Sequence, residues 1–335
     1  MNNHKKSGKY SFWDQLYEQA VSWLQIVDHG QGAEYFREGE HQMEMRDWAH
    51  AISFFSRAIE EDPRYISAFV MRGISFIRLN KLEPGLADFT QAIRLDPDEE
   101  VAYFNRGLIN GKLGYFDKAI EDYSEAIAIN PDYASAYVNR AIAHCHIDSW
   151  KEGLRDFSIA LKYFPDHSDI YFGRARAYEN LGAIKEALKD YSRAIALDPT
   201  HPKAYRYRGE LLLKSQEFEK ALADFDYSIF LNPKDINGYL LRGRLFLTQH
   251  FWQKAEEDFF TVIEINDQIF SGYVGLAKIY SLQGNQLDEC FEALGKALEK
   301  GYKLWDNREL LDPAYDAVRE TTGFLRLFDK YKPRS

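Results

Sequence analysis

Two columns of opposite charge stand out among the residues that could do chemistry. Arginine recurs at Arg72, Arg106, Arg140, Arg174, Arg208 and Arg242, and aspartate at Asp88, Asp122, Asp156, Asp190, Asp224 and Asp258. Each column steps by 34 residues, and each aspartate follows its arginine by 16. Such columns either neutralise one another as structural ion pairs or present a row of arginines to an anionic ligand. A desolvated charge needs a partner, and truncating one member of a buried pair costs on the order of 3–5 kcal/mol, so structural pairing is the expected role. The other candidates are weaker. His144, Cys145 and His146 are consecutive, and neighbours on a helix point in different directions, so the three cannot close on one metal ion. The stretch GKLG at Gly111–Gly114 lacks the G-x-x-x-x-G-K-[ST] frame that cradles a phosphate. No G-x-S-x-G nucleophile elbow occurs. The glutamate pairs Glu60–Glu61 and Glu99–Glu100 fall at helix ends or turns and are expected to be solvated surface. No catalytic residue, metal or cofactor is expected, and the chain reads as non-enzymatic.

The step of 34 runs through every other landmark. Pro63, Pro97, Pro131, Pro165, Pro199 and Pro233 keep it. In blocks of 34 counted from Gly32, the fourth place is aromatic throughout: Tyr35, Phe69, Tyr103, Tyr137, Tyr171, Tyr205, Tyr239 and Tyr273. A second aromatic column holds Phe55, Phe89, Tyr123, Phe157, Tyr191, Phe225 and Phe259. Small residues fill two more, one from Gly39 and Gly73 to Gly243 and Ala277, the other from Ala51 and Gly85 to Ala221 and Ala255. Apolar spacing within a block is helical on both sides of a turn marked by Asn80, Gly114, Asp148, Gly182 or Gly284, so each block is a pair of helices. Asp-Pro or Asn-Pro stops the second helix. A lone hairpin cannot bury its apolar face, and stacking on neighbours buries it.

The block from Glu100 to Tyr133, with AYFNRGLINGKLGYFDKAIEDYSEAIAINPDY, carries the aromatic, small, Gly, Ala and Pro positions together and resembles a tetratricopeptide repeat (TPR). Eight copies are expected at 32–65, 66–99, 100–133, 134–167, 168–201, 202–235, 236–269 and 270–304, with a one-residue insertion near Gln286 in the last. The resemblance implies an all-α fold, a right-handed α-α superhelix or TPR solenoid. It also implies that first helices line a concave surface with places 2, 5, 6, 9, 12 and 13 of each block. Those places give a mainly apolar wall in blocks two to four, including Val70, Met71, Ile74, Phe104, Asn105, Leu108, Val138, Asn139, Ile142, Cys145 and His146. Blocks five to eight give a mainly basic wall with Arg176, Lys203, Arg206, Tyr207, Glu210, Lys214, Arg244 and Lys278. The expected ligand is an extended peptide with an apolar and an acidic part, its backbone held by Asn105 and Asn139 and its carboxylates by Arg176, Arg206, Arg244 and Lys278. The heat-shock carboxylate clamp is disfavoured: it needs Lys at place 5 and Asn at place 9, where this chain has Phe36 and Glu40, Phe104 and Leu108, or Val138 and Ile142.

The expected function is a protein-interaction scaffold, with a fixed homo- or hetero-oligomer and a chaperone-like binder of unfolded segments as alternatives. A net charge of −10 disfavours nucleic acid, whose affinity comes from accumulated positive charge. Two cysteines are too few for a disulfide framework and point to a reducing compartment. The N-terminal MNNHKKSGKYSFW has no apolar run after its lysines, so a soluble cytoplasmic protein is expected and a membrane role is not. The flanks, 1–31 and 305–335, are expected to form capping helices. Phe12, Trp13, Leu16, Tyr17, Ala20, Trp23, Leu24 and Val27 share one helical face in the first, which could alternatively dock on a membrane surface or a partner groove. The second offers Leu310, Leu311, Tyr315, Val318, Phe324, Leu325 and Phe328.

Overall fold

A computed structural model describes residues 31–303 and 312–331. The N-terminal apolar face and Leu310 and Leu311 lie outside them. The described residues hold seventeen α-helices and one 3₁₀ turn, and no strand. None of these helices is long and apolar enough to cross a membrane.

The chain divides into two compact units at Ala183/Ile184, between the two helices of the fifth block. The first unit runs α1 (Gln31–Glu44), α2 (Trp48–Glu61), α3 (Ile66–Arg78), α4 (Leu82–Leu95), α5 (Glu100–Lys112), α6 (Phe116–Ile129), α7 (Ala134–His146), α8 (Trp150–Tyr163) and α9 (Ser168–Asn180). These are four complete hairpins and the first helix of a fifth. The second unit opens on α10 (Ile184–Leu197). Three hairpins follow: α11 (Pro202–Lys214) with α12 (Phe218–Leu231), α13 (Ile236–Thr248) with α14 (Trp252–Ile265), and α15 (Phe270–Gln283) with α16 (Leu287–Glu299). The 3₁₀ turn Pro313–Tyr315 and α17 (Thr322–Tyr331) close it.

The hairpin turn is a Schellman motif. At the same place of every block one residue is left-handed: Arg46, Asn80, Gly114, Asp148, Gly182, Gln216, His250 and Gly284. The next residue's N–H then reaches back across the helix end, as Tyr115 N does to Asn110 O at 2.8 Å and Glu217 N to Leu212 O at 2.9 Å. The chain tolerates Arg, Gln and His here where the spacing predicts only Gly, Asn or Asp.

The Asx-Pro pairs end the second helices in a second way as well. The side chain of Asp62, Asp96, Asn130, Asp198 or Asn232 accepts a hydrogen bond from the backbone N–H two residues on. Asn266 does the same although Asp267 stands where the other blocks have proline. The turn therefore survives the loss of its proline, because the carboxamide closes it locally.

Close approach explains the glycine column. A Cβ on Gly107 would stand 2.7 Å from the Tyr123 ring, and one on Gly39 2.5 Å from Phe55. The aromatic column these glycines admit is the core: Phe55, Phe89 and Phe225 are wholly buried. In the second unit Tyr315, Val318 and Phe324 join the core of the last hairpins. Within 312–331, the described part of the C-terminal segment, the chain forms this turn and a short helix.

Candidate functional site

The charge columns meet within the hairpins. Arg72 Nε and Nη2 donate to Asp88 Oδ2 and Oδ1 at 2.9 and 2.7 Å. Arg140 meets Asp156 at 2.7 and 2.9 Å, Arg208 meets Asp224 at 2.8 and 2.7 Å, and Arg242 meets Asp258 at 3.0 and 2.6 Å. Arg106 Nη2 donates to Asp122 Oδ1 at 2.6 Å, and Asn110 adds a bond to Oδ2 of the same aspartate. In the first unit Arg174 lies over the Tyr171 ring at 5.5 Å, and in the second Asp190 is buried. Burial pushes the Asp88 and Asp258 carboxyls above their usual range against the pull of their arginines. The Asp156 and Asp224 bonds hold Arg140 and Arg208 above the ordinary guanidinium range.

Two further columns complete this ladder. Each arginine lies over the fourth-place aromatic of its own helix, at 5.5 Å for Phe69, Tyr103 and Tyr137. The remaining Nη1 reaches the preceding hairpin: Arg72 to Ser56 Oγ at 3.0 Å, Arg140 to Ser124 Oγ at 3.0 Å and Arg208 to Ser192 Oγ at 3.1 Å. Arg242 finds Asp226 at the same place, at 2.6 Å. The signal was available as Ser56, Thr90, Ser124, Ser158, Ser192 and Asp226, a polar column in step with the arginines.

The first-helix places divide into open and occupied. Val70, Met71, Ile74, Phe104 and Val138 of the expected apolar wall are buried. Phe104 is core, set between Tyr123 at 5.8 Å and Tyr133 at 4.8 Å. Asn105 and Asn139 are also buried, and their amides donate to Val101 O and Ser135 O of their own helices at 2.8 and 2.9 Å. Ile142 is 38% exposed. His146 is exposed and stacks flat on Phe116 at 4.4 Å. Burial lifts the Cys145 thiol to about 11, which keeps it protonated, and lowers His144 below the ordinary imidazole range. Among the described residues no three metal-ligating side chains gather.

The basic wall is largely neutralised from within. Arg206 Nε lies 3.0 Å from Asp235 Oδ2, with both side chains mostly buried and the guanidinium 4.8 Å over Tyr207. Tyr207 itself stacks on Tyr191 at 6.3 Å. Lys278 pairs with Asp312 at 2.6 Å, Arg176 Nε lies 3.7 Å from Glu179, and Lys214 pairs with Glu210 at 3.1 Å. Arg244 is exposed. Of the expected row of Arg176, Arg206, Arg244 and Lys278, three cations already face a carboxylate of this chain.

One pairing rule accounts for Arg206 and Phe104 together. The fifth and last places of a block meet, as Phe36 on Tyr65 at 5.0 Å, Phe104 on Tyr133 at 4.8 Å, and Arg206 beside Asp235 at 3.0 Å. The sequence shows matched chemistry at these places, aromatic with aromatic and cation with anion.

Glu99 departs from its expected role as solvated surface. It is the N-cap of α5, and burial first, then the charge of Glu100, pushes its carboxyl up to about 7.

A tetratricopeptide repeat family model matches residues 101–133, and a second tetratricopeptide repeat model matches 148–202 and 184–236. No curated protein matches the chain. Among solved structures, a tetratricopeptide repeat protein from Parabacteroides merdae is 21% identical over 71% of this chain and 94% of its own, with a TM-score of 0.55. Pseudomonas aeruginosa pilF is 15% identical over 62% of this chain and 94% of its own, also at 0.55. YrrB, described as a TPR protein with an unusual peptide-binding site, is 21% identical over 55% of this chain and 95% of its own, at 0.50. With the 34-residue step, the Schellman turns, the small-against-aromatic packing and the family matches all in one register, the chain belongs to the tetratricopeptide repeat proteins.

Proposed function

We propose that this chain is a non-enzymatic interaction scaffold whose first-helix faces hold segments of partner proteins. The observation that carries this reading is a division of labour inside each hairpin. The second-helix columns and the Arg–Asp ladder are consumed in packing, whereas Ile142 and His146 on α7 and Arg244 on α13 stay exposed and belong to no packing column. In the first unit, Ile142 and the flat His146–Phe116 stack suit an apolar side chain. In the second unit, Arg244 suits a carboxylate, with Lys203 also exposed. The likeness to YrrB supports the fold of such a binder and nothing finer.

The test is substitution without unfolding. Ile142→Glu and Arg244→Glu, each in the full chain, should weaken capture of selected peptides while the melting temperature stays put. Salt should weaken the wild-type interaction at Arg244 more than that of the variant. Arg206 is unsuited to this purpose, because reversing it strands Asp235.

A second reading, a fixed oligomer, is favoured by one patch. Phe230 is 73% exposed and Tyr227 41% exposed, and the two rings lie 5.8 Å apart with Tyr205 4.7 Å beyond. Light scattering of wild type and Phe230→Lys tests it: a dimer that the variant dissociates supports it, and a wild-type monomer removes it. The binder of unfolded segments relied on the apolar wall of blocks two to four, most of which is buried.

A further inference from the structure

The outer face of one second helix departs from the repeat. On α12, Glu219, Ala223, Tyr227 and Phe230 stand at i, i+4, i+8 and i+11 and are all exposed, so they form one stripe along the helix. The last three carry no charge. On other second helices the same three places do: Arg155 and Lys162 on α8, Lys189 and Arg193 on α10, Glu257 and Glu264 on α14. The uncharged stretch of α12 is therefore particular to the sixth block, and an exposed apolar patch rimmed by charge marks a surface that another molecule covers. Tyr227 lies between Phe230 at 5.8 Å and Tyr205 of α11 at 4.7 Å, so the rings support one another in place before anything docks.

The stripe complements itself. When a second copy is laid antiparallel on it about a two-fold axis between Asp226 and Tyr227, Ala223 faces Phe230 of the second copy, and Phe230 faces Ala223 of the second copy. Small against aromatic is the packing this chain already uses within its hairpins, as Gly107 against Tyr123. The same register brings Glu219, in the first turn of α12, towards Lys234 of the second copy, just past the helix end at Leu231. Both side chains are exposed, and among the described residues no ion pair uses either of them. Asp226, at the edge of the stripe, is already taken by Arg242 at 2.6 Å. Apolar centre and charged ends thus match in one arrangement, which is the anatomy of an interface between like surfaces.

We propose that a second copy of this chain covers this face, α12 pairing antiparallel with α12 of the second copy in that register. The proposal rests on the oligomer reading above and gives it a surface, a partner and a symmetry. It uses a second helix and none of the first-helix side chains assigned to peptide binding, so the dimer and the scaffold are compatible.

Light scattering and sedimentation equilibrium of the full chain at low salt test it, with circular dichroism to check that each variant stays folded. Wild type is expected to be a dimer that Phe230→Lys dissociates, and Ala223→Lys, at the small place opposite that ring, should dissociate it too. Glu219→Lys and Lys234→Glu, each alone, should weaken the dimer by roughly tenfold, because like charges then meet at both ends of the two-fold. An equimolar mixture of these two variants should regain the wild-type Kd, because opposite charges face each other again. A dimer that Phe230→Lys leaves intact overturns the proposal. So does a dimer that Phe230→Lys dissociates but that the charge mixture fails to restore, an outcome that rejects this register and leaves the oligomer reading standing. A wild-type monomer overturns both, and if Phe230→Lys then lowers its melting temperature, the face belongs to a segment of the same chain.

Discussion

Arginine at the seventh place does three things at once: it neutralises a buried aspartate, rests on an aromatic ring, and bonds the preceding hairpin through a serine. Removing it strands the aspartate, so Arg140→Met should destabilise the chain by about 3 kcal/mol. Ser124→Ala should cost about 1 kcal/mol, and the double variant should show coupling, since the two side chains share a hydrogen bond at 3.0 Å. Urea unfolding of the four proteins measures this, and strictly additive losses would deny the link between hairpins. Glu99 makes a prediction in pH. Its folded-state carboxyl is raised from 4.5 to about 7, so its contribution to stability is full below 4.5 and is lost as pH rises through 7. Glu99→Gln, which stays neutral, should gain on wild type across that window. Unfolding at pH 5 and pH 8 should show a much larger advantage of the variant at the higher value. The ladder was legible as two columns of charge, and its serines as a third, polar column in step with them, but that the hydroxyl meets the guanidinium of the next hairpin only the distances show.

At the scale of helix and turn, the repeat's grammar is steric. Gly107 admits the Tyr123 ring, and Gly107→Ala should cost about 1–3 kcal/mol by overpacking. Gln216 occupies the left-handed turn place at φ 61°, where a side chain is strained, so Gln216→Gly should stabilise by about 1 kcal/mol. Opposite signs for the two changes, read in one denaturation series, would separate packing from backbone strain. Helix starts were plain in the sequence, since α3, α5, α7, α9, α11, α13 and α15 begin on the first residue of their blocks. What one helix does to its neighbour's charge was less plain: Lys278 of the last block pairs with Asp312, which lies beyond the repeats.

For the whole molecule, length and period give eight blocks, whereas the structure groups them into two compact units divided inside the fifth. The sequence carries no break there, because the 34-residue landmarks run through Ala183 unchanged. The Arg–Asp ladder is spent on packing, and in the proposed reading recognition falls to the first-helix side chains that stay open. The most direct measurement is peptide selection on the immobilised full chain from a random display library, followed by Kd values of the selected peptides for three variants. The account predicts that Ile142→Glu or Arg244→Glu weakens binding by roughly tenfold or more with unchanged melting temperature. It predicts that Arg140→Met lowers stability and leaves the Kd of the folded protein alone. Wild-type Kd values in both surface variants, or a loss confined to Arg140→Met, would contradict it.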